Sequence, residues 1–110
     1  MKSPITTHIL DTSIGRPAAQ VQISLFYQGH QIASGQTNDD GRILQWLPLD
    51  YQLKSGIYQI VFEIGDWMKA QNRACFYPKV TIDFEVQNTN EHYHVPLLIN
   101  PFGYSTYRGS

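Results

Sequence analysis

Charged residues are scarce in this chain: Asp, Glu, Lys and Arg make up 15% of its 110 residues, for a formal net charge of -1. The eight Lys and Arg are scattered, so no basic stripe exists to neutralise a phosphate backbone, and nucleic acid is excluded as a partner. Long apolar runs are absent too. Nothing approaches the roughly 18 to 20 residues of a membrane span, and the opening MKSPITTHIL is too short and polar for a secretory hydrophobic segment. We therefore expect a soluble protein with no membrane partner and no export signal, placed in the cytoplasm, with periplasm and peroxisome as alternatives. Cysteine is reduced to Cys75 alone. That rules out an intrachain disulfide and the paired-Cys spacing of a zinc or thioredoxin-type centre. In RACFYP, Cys75 reads as a small, half-buried apolar residue, because nothing around it marks an activated thiol.

What remains is an ordinary globular balance, 42% hydrophobic and 13% aromatic. The length suits one domain over residues 1–110 and is too short for two. Short alternating or β-branched runs recur between clusters of Gly, Pro, Asn and Asp, the pattern of an all-β sandwich. Strands are expected at 6–11, 20–28, 31–37, 42–46, 57–64, 79–87, 91–99 and near 104–108. The turn signal Asn38-Asp39-Asp40-Gly41 sets the start of the fourth of these. One short helix is expected across 66–72, with Asp66 as its N-cap.

Four polar side chains able to do chemistry occupy positions where packing or solvent residues would serve: His8, Arg42, His94 and Tyr107. Period-two alternation puts Thr6, His8 and Leu10 on one face of the first strand, and His92, His94, Pro96 and Leu98 on one face of the seventh. The seventh also carries Tyr93, Val95 and Leu97 on its other side. A strand apolar on both faces implies that its outer face is covered by another subunit. A site at such an interface is partly dry, where imidazoles and a guanidinium act with less screening than in open water. Taken singly, each residue has a plainer reading: a surface or hydrogen-bonded histidine, a solvated arginine after a turn, a packing tyrosine in a frayed tail.

The segments TTHILDTSIGRPAAQV, GIYQIVFEIGDW and HYHVPLLINPFGYSTYRGS together closely resemble the 5-hydroxyisourate hydrolases of the transthyretin-like family, over essentially the whole chain. The ending Tyr107-Arg108-Gly109-Ser110 is the most specific piece, being similar to the tetrapeptide that separates these hydrolases from the hormone-carrying transthyretins. The carriers share the fold and the Leu-Asp, Gly-Ile-Tyr and Tyr-Ser-Thr segments, but lack the histidines, the arginine and this ending. The resemblance implies a two-sheet, eight-stranded transthyretin-like sandwich with one short helix. It also implies a homotetramer, a dimer of dimers, whose central channel holds the active sites. It matches His8 and His94 to catalytic histidines, and Arg42, Tyr107, Arg108 and Ser110 to substrate-binding positions. Two details depart from the pattern: Asn100 stands where Ser is common before Pro, and Cys75 lies outside the motifs.

The substrate so implied is an oxidised purine whose six-membered ring opens when water adds to a ring carbonyl and a ring C–N bond breaks. Such a hydrolysis needs a base active near neutral pH, which an imidazole supplies. It also needs fixed positive charge for the developing oxyanion, which a guanidinium supplies as a rigid fork. His8 or His94 suits the first role and Arg42 the second, and no cofactor is called for. His92 and His94, two apart on one strand face with His8 near, raise a zinc alternative. The hydrolysis needs only acid–base groups, however, and no carboxylate is placed to orient such ligands, so no metal is expected. Two other classes compete. One is a transthyretin-like binding module for a small aromatic ligand, and the other a structural or adhesion-type sandwich in which the terminal tetrapeptide is dispensable.

Overall fold

The computed structural model describes residues 3–110. Its strands are β1 (Ile5–Asp11), β2 (Arg16–Pro17), β3 (Gln22–Tyr27), β4 (His30–Gln36), β5 (Arg42–Ile43), β6 (Gly56–Phe62), β7 (Val80–Val86), β8 (Tyr93–Asn100) and β9 (Gly103–Thr106). A short helix, α1 (Ile64–Lys69), lies between β6 and β7. The strands form two sheets: β2-β1-β8-β9, with β5 also paired to β1, and β4-β3-β6-β7.

Alternation sorts the residues between core and surface. From β1 and β8, Ile5, Ile9, Leu97 and Ile99 join one buried cluster with Ile23, Leu25, Tyr58, Ile60 and Phe62 of the other sheet. In β7 the alternation predicts one wet side, and Thr81, Asp83 and Glu85 are exposed while Val80 and Val86 are buried. Polar atoms inside this core find partners. The Tyr58 hydroxyl donates to the Lys54 carbonyl at 2.9 Å and accepts from the Lys54 amide at 3.0 Å. Burial pushes that phenol's pKa up to about 12.

For function the decisive pairing is β1 with β8, a parallel pair that joins the two ends of the chain, with Thr6 opposite His94 and His8 opposite Pro96. The strands bring their even-numbered residues to the outer face of the sheet. Pro96 is buried and His8, His94 and Leu98 are half-buried there.

Several boundaries differ from the sequence expectation. The fourth expected strand shrinks to Arg42–Ile43, because beyond it Trp46 turns inward to donate from Nε1 to the Ile5 carbonyl at 2.7 Å. The helix begins at Ile64, not at Asp66. Glu63 takes the N-cap position without a side-chain cap bond, and Asp66 sits in the first turn, where its charge complements the helix dipole. Burial of Ile64 and Met68 decides where the helix starts. The two-residue β2 lies outside the expected strands and brings their number among the described residues to nine. Cys75 is half-buried, as its sequence context suggests, and donates from Sγ to the Tyr77 carbonyl at 3.1 Å. No helix among the described residues is long and apolar enough to cross a membrane.

At the end of β1, Asp11 is fully buried. The Ser13 amide donates to its Oδ1 at 3.0 Å, the Ser13 hydroxyl donates to the same oxygen, and Arg73 Nη1 makes an ion pair with Oδ2 at 2.8 Å. Burial alone would raise the carboxyl pKa, but Arg73 and Ser13 outweigh it and hold it below 3.8. A depressed carboxyl pKa adds stability that is present above the unfolded value and lost as pH falls through the folded one. Arg73→Met strips the counter-charge from this carboxylate and is expected to cost about 3 kcal/mol at neutral pH. Denaturant midpoints should show that deficit, and should show it shrinking in acid, where the carboxyl is protonated.

Candidate active site

The turn before β5 positions the first two site residues. Asn38 Oδ1 accepts from the amides of Asp40 at 2.9 Å and Arg42 at 3.0 Å. Gly41 has φ +72°, and a Cβ there would lie 2.5 Å from the Ile9 carbonyl oxygen. Only glycine lets the turn lie this close to β1. β5 leaves it antiparallel to β1, with Arg42 directly opposite His8.

His8 donates a hydrogen bond to the Asp40 backbone. Burial first, and the Arg42 charge second, push its pKa below 6.5, outweighing the raising effect of Asp40. The ring is therefore neutral at pH 7, with one nitrogen committed to Asp40 and the other holding a lone pair. His94 comes from the neighbouring strand. Its Nδ1 lies 2.8 Å from Thr6 Oγ1, which also lies 2.9 Å from His92 Nε2. His8 and His94 sit two residues along and one strand across from each other, so their Cα atoms are roughly 8 Å apart by strand geometry. That span suits one small planar ring.

The C-terminus returns to the same place. Gly109 donates from its amide to the His94 carbonyl at 2.8 Å, an isolated antiparallel bridge. A Cβ on Gly109 would stand 2.6 Å from His94 Cδ2 and 3.1 Å from Pro96 Cγ. Glycine thus lets the tail lie flat on the imidazole. Gly109→Ala is expected to push the ring aside. A misplacement near 1 Å lowers turnover by about 10²-fold, while melting curves should stay close to wild type, because the substitution is at the chain's end.

Residues 5–109 match the sequence model of the HIUase/Transthyretin family. The chain belongs to this family. It is 43% identical over 110 residues to a Caenorhabditis elegans protein named probable 5-hydroxyisourate hydrolase, covering 96% of this chain and 81% of that one. The structure of Klebsiella pneumoniae 5-hydroxyisourate hydrolase is similar at a TM-score of 0.88 with 40% identity, covering 96% of this chain and 98% of that one. Sea bream transthyretin in complex with thyroxine reaches 0.87 with 28% identity, covering 96% and 94%. The two TM-scores are nearly equal, so the HIUase/transthyretin backbone does not separate the hydrolase from the thyroxine-bound transthyretin. Side chains must.

On this family's fold, His8, Arg42 and His94 share one outer sheet face, and Tyr107 and Ser110, both exposed, flank Gly109 at its edge. Arg108 is engaged elsewhere: its Nη2 lies 2.8 Å from Glu91 Oε1 and its guanidinium stacks 4.5 Å from the Tyr93 ring centroid. A cavity of about 240 Å³ opens at the seam between β7 and the tail, lined by Phe84, Tyr93, His94, Tyr107 and Arg108 among others. His94 and Tyr107 line it, whereas His8 and Arg42 do not. Among the described residues, no three His, Cys, Asp or Glu side chains are grouped as a metal site requires. Sequence reasoning passed over Thr6, Gly109 and the Asp40 backbone. Thr6 shares the alternation face of His8 and was within reach of that argument, whereas the other two act through backbone atoms that leave no side-chain signal.

Proposed function

We propose that this chain is a metal-independent hydrolase of 5-hydroxyisourate, opening the six-membered ring to 2-oxo-4-hydroxy-4-carboxy-5-ureidoimidazoline in urate breakdown. The observation that carries the reading is a neutral imidazole and a guanidinium as direct strand partners, with a second imidazole one strand away. An apolar aromatic ligand has no use for that group, whereas addition of water to a carbonyl uses every member of it. The names of the C. elegans and K. pneumoniae relatives point the same way.

In this mechanism His8 takes a proton from water at its lone-pair nitrogen as the oxygen adds to the ring carbonyl. Arg42 donates to the oxyanion that forms. The ring C–N bond then breaks, and His94 protonates the departing nitrogen from Nε2. The Tyr107 hydroxyl and Ser110 hold the substrate ring, and Arg108 serves through its ion pair with Glu91, which pins the tail. The chain works as one domain within a homotetramer, a dimer of dimers. Support for a covering subunit comes from the apolar outer residues Pro96 and Leu98 and from exposed Phe102, Tyr104 and Tyr107.

The test is protein stripped with a chelator and mixed with freshly generated 5-hydroxyisourate. Accelerated loss of the substrate is the expected result. Unchanged decay together with saturable binding of a small aromatic ligand would instead identify a carrier.

A further inference from the structure

The hydroxyl of Thr6 is only 1% exposed as a residue, yet it touches two imidazoles at once. His94 Nδ1 lies 2.8 Å away and His92 Nε2 2.9 Å away, both within hydrogen-bond reach. His94 belongs to the candidate site, whereas His92 is exposed at its rim. A hydroxyl has one proton to give and two lone pairs to accept with. Between two ring nitrogens it can donate to one while accepting from the other, and in that arrangement the protonation of one ring sets the tautomer of the other.

We infer that Thr6 is a proton relay, joining His94 at the site to His92 at the surface. The inference rests on the hydrolase reading for its chemical purpose. Before ring opening, His92 carries protons on both nitrogens and donates from Nε2 to Thr6, and Thr6 donates to the bare Nδ1 of His94. As the C–N bond breaks, His94 gives its Nε2 proton to the departing nitrogen. Its Nδ1 takes the Thr6 proton, and Thr6 takes the Nε2 proton of His92. His94 and Thr6 end neutral and His92 ends as neutral imidazole, so one positive charge leaves the rim and one proton reaches the product. His8 meanwhile holds the proton taken from water. Solvent then returns a proton to exposed His92 and takes one from His8. Without the relay, His94 would pass through an imidazolate, or would have to be charged while half-buried beside the tail. Thr6 and His92 are positioning and relay residues, since neither needs to touch substrate.

Three variants test this. Thr6→Val keeps the shape and removes the hydroxyl, Thr6→Ser keeps the hydroxyl, and His92→Gln alters an exposed residue that the fold tolerates. Thr6→Val is expected to lower kcat by about 10-fold or more with little change in KM, as loss of part of a general acid's contribution does. His92→Gln should lower it similarly, the double variant should be no worse than Thr6→Val, and Thr6→Ser should restore most of the rate. Imidazole nitrogen NMR of the free protein supplies a readout independent of turnover. The His94 tautomer populations should change in Thr6→Val and His92→Gln and return in Thr6→Ser. If wild type turns over and both variants keep its kcat and its nitrogen spectrum, the relay is wrong and the hydrolase reading stands. If wild type does not turn over, the hydrolase reading fails, and the spectra alone decide: unchanged His94 tautomers overturn the coupling and altered ones support it.

Discussion

Replacing His8 with Asn is expected to lower kcat on 5-hydroxyisourate by about 10³-fold, within the range that a positioned general base contributes. An amide keeps a donor for the Asp40 backbone, and a melting temperature near wild type would separate the loss of proton transfer from a loss of folding. The pH profile carries the same information in another form. Only neutral His8 accepts a proton, and burial together with Arg42 holds its pKa below 6.5. The acid limb of kcat/KM should therefore lie below that value. Folding stability follows the same sign. A depressed histidine pKa gives stability present above the unfolded value that is lost as pH falls through the folded one.

Arg42→Gln is the second large effect. Its guanidinium is the fixed positive charge that the tetrahedral intermediate needs, and removing one such donor typically costs about 10² to 10³-fold in kcat. Arg42→Lys should recover little of this, because an ammonium is a hydrated point charge and not a planar fork. The substitution has a second signature. Arg42 is the second-largest cause lowering the His8 pKa, after burial, so Arg42→Gln should move the acid limb of the residual activity upward. A guanidinium that merely stabilised the sheet would change the melting temperature and leave kcat near its wild-type value.

The sandwich was legible because strands with one buried face must alternate. Val80–Val86 shows this without ambiguity. The helix start was less legible, because Asp66 is a good cap by type, yet burial of Ile64 and Met68 outweighs capping and pulls the helix two residues earlier. β5 was overextended because Ile43, Leu44 and Trp46 look like a strand, whereas Trp46 has a hydrogen bond to make in the core. Alternation did place His8 and His94 on outer faces. What it could not show was the parallel β1–β8 register that sets them side by side, because parallel partners are joined by a long crossover and leave no local trace. Arg108 illustrates the opposite failure. Its place in the terminal tetrapeptide suggested the site, but Glu91 and the Tyr93 ring offer its guanidinium an ion pair and a π face nearby.

The central claim is that His8, Arg42 and His94 face one substrate together. A crystal structure with an unreactive planar purine analogue tests it most directly. The account predicts the analogue's ring between the two imidazoles, with a carbonyl oxygen within hydrogen-bond reach of Arg42. An analogue seated instead in the seam cavity beside Phe84 and Tyr93, out of reach of His8 and Arg42, would contradict it.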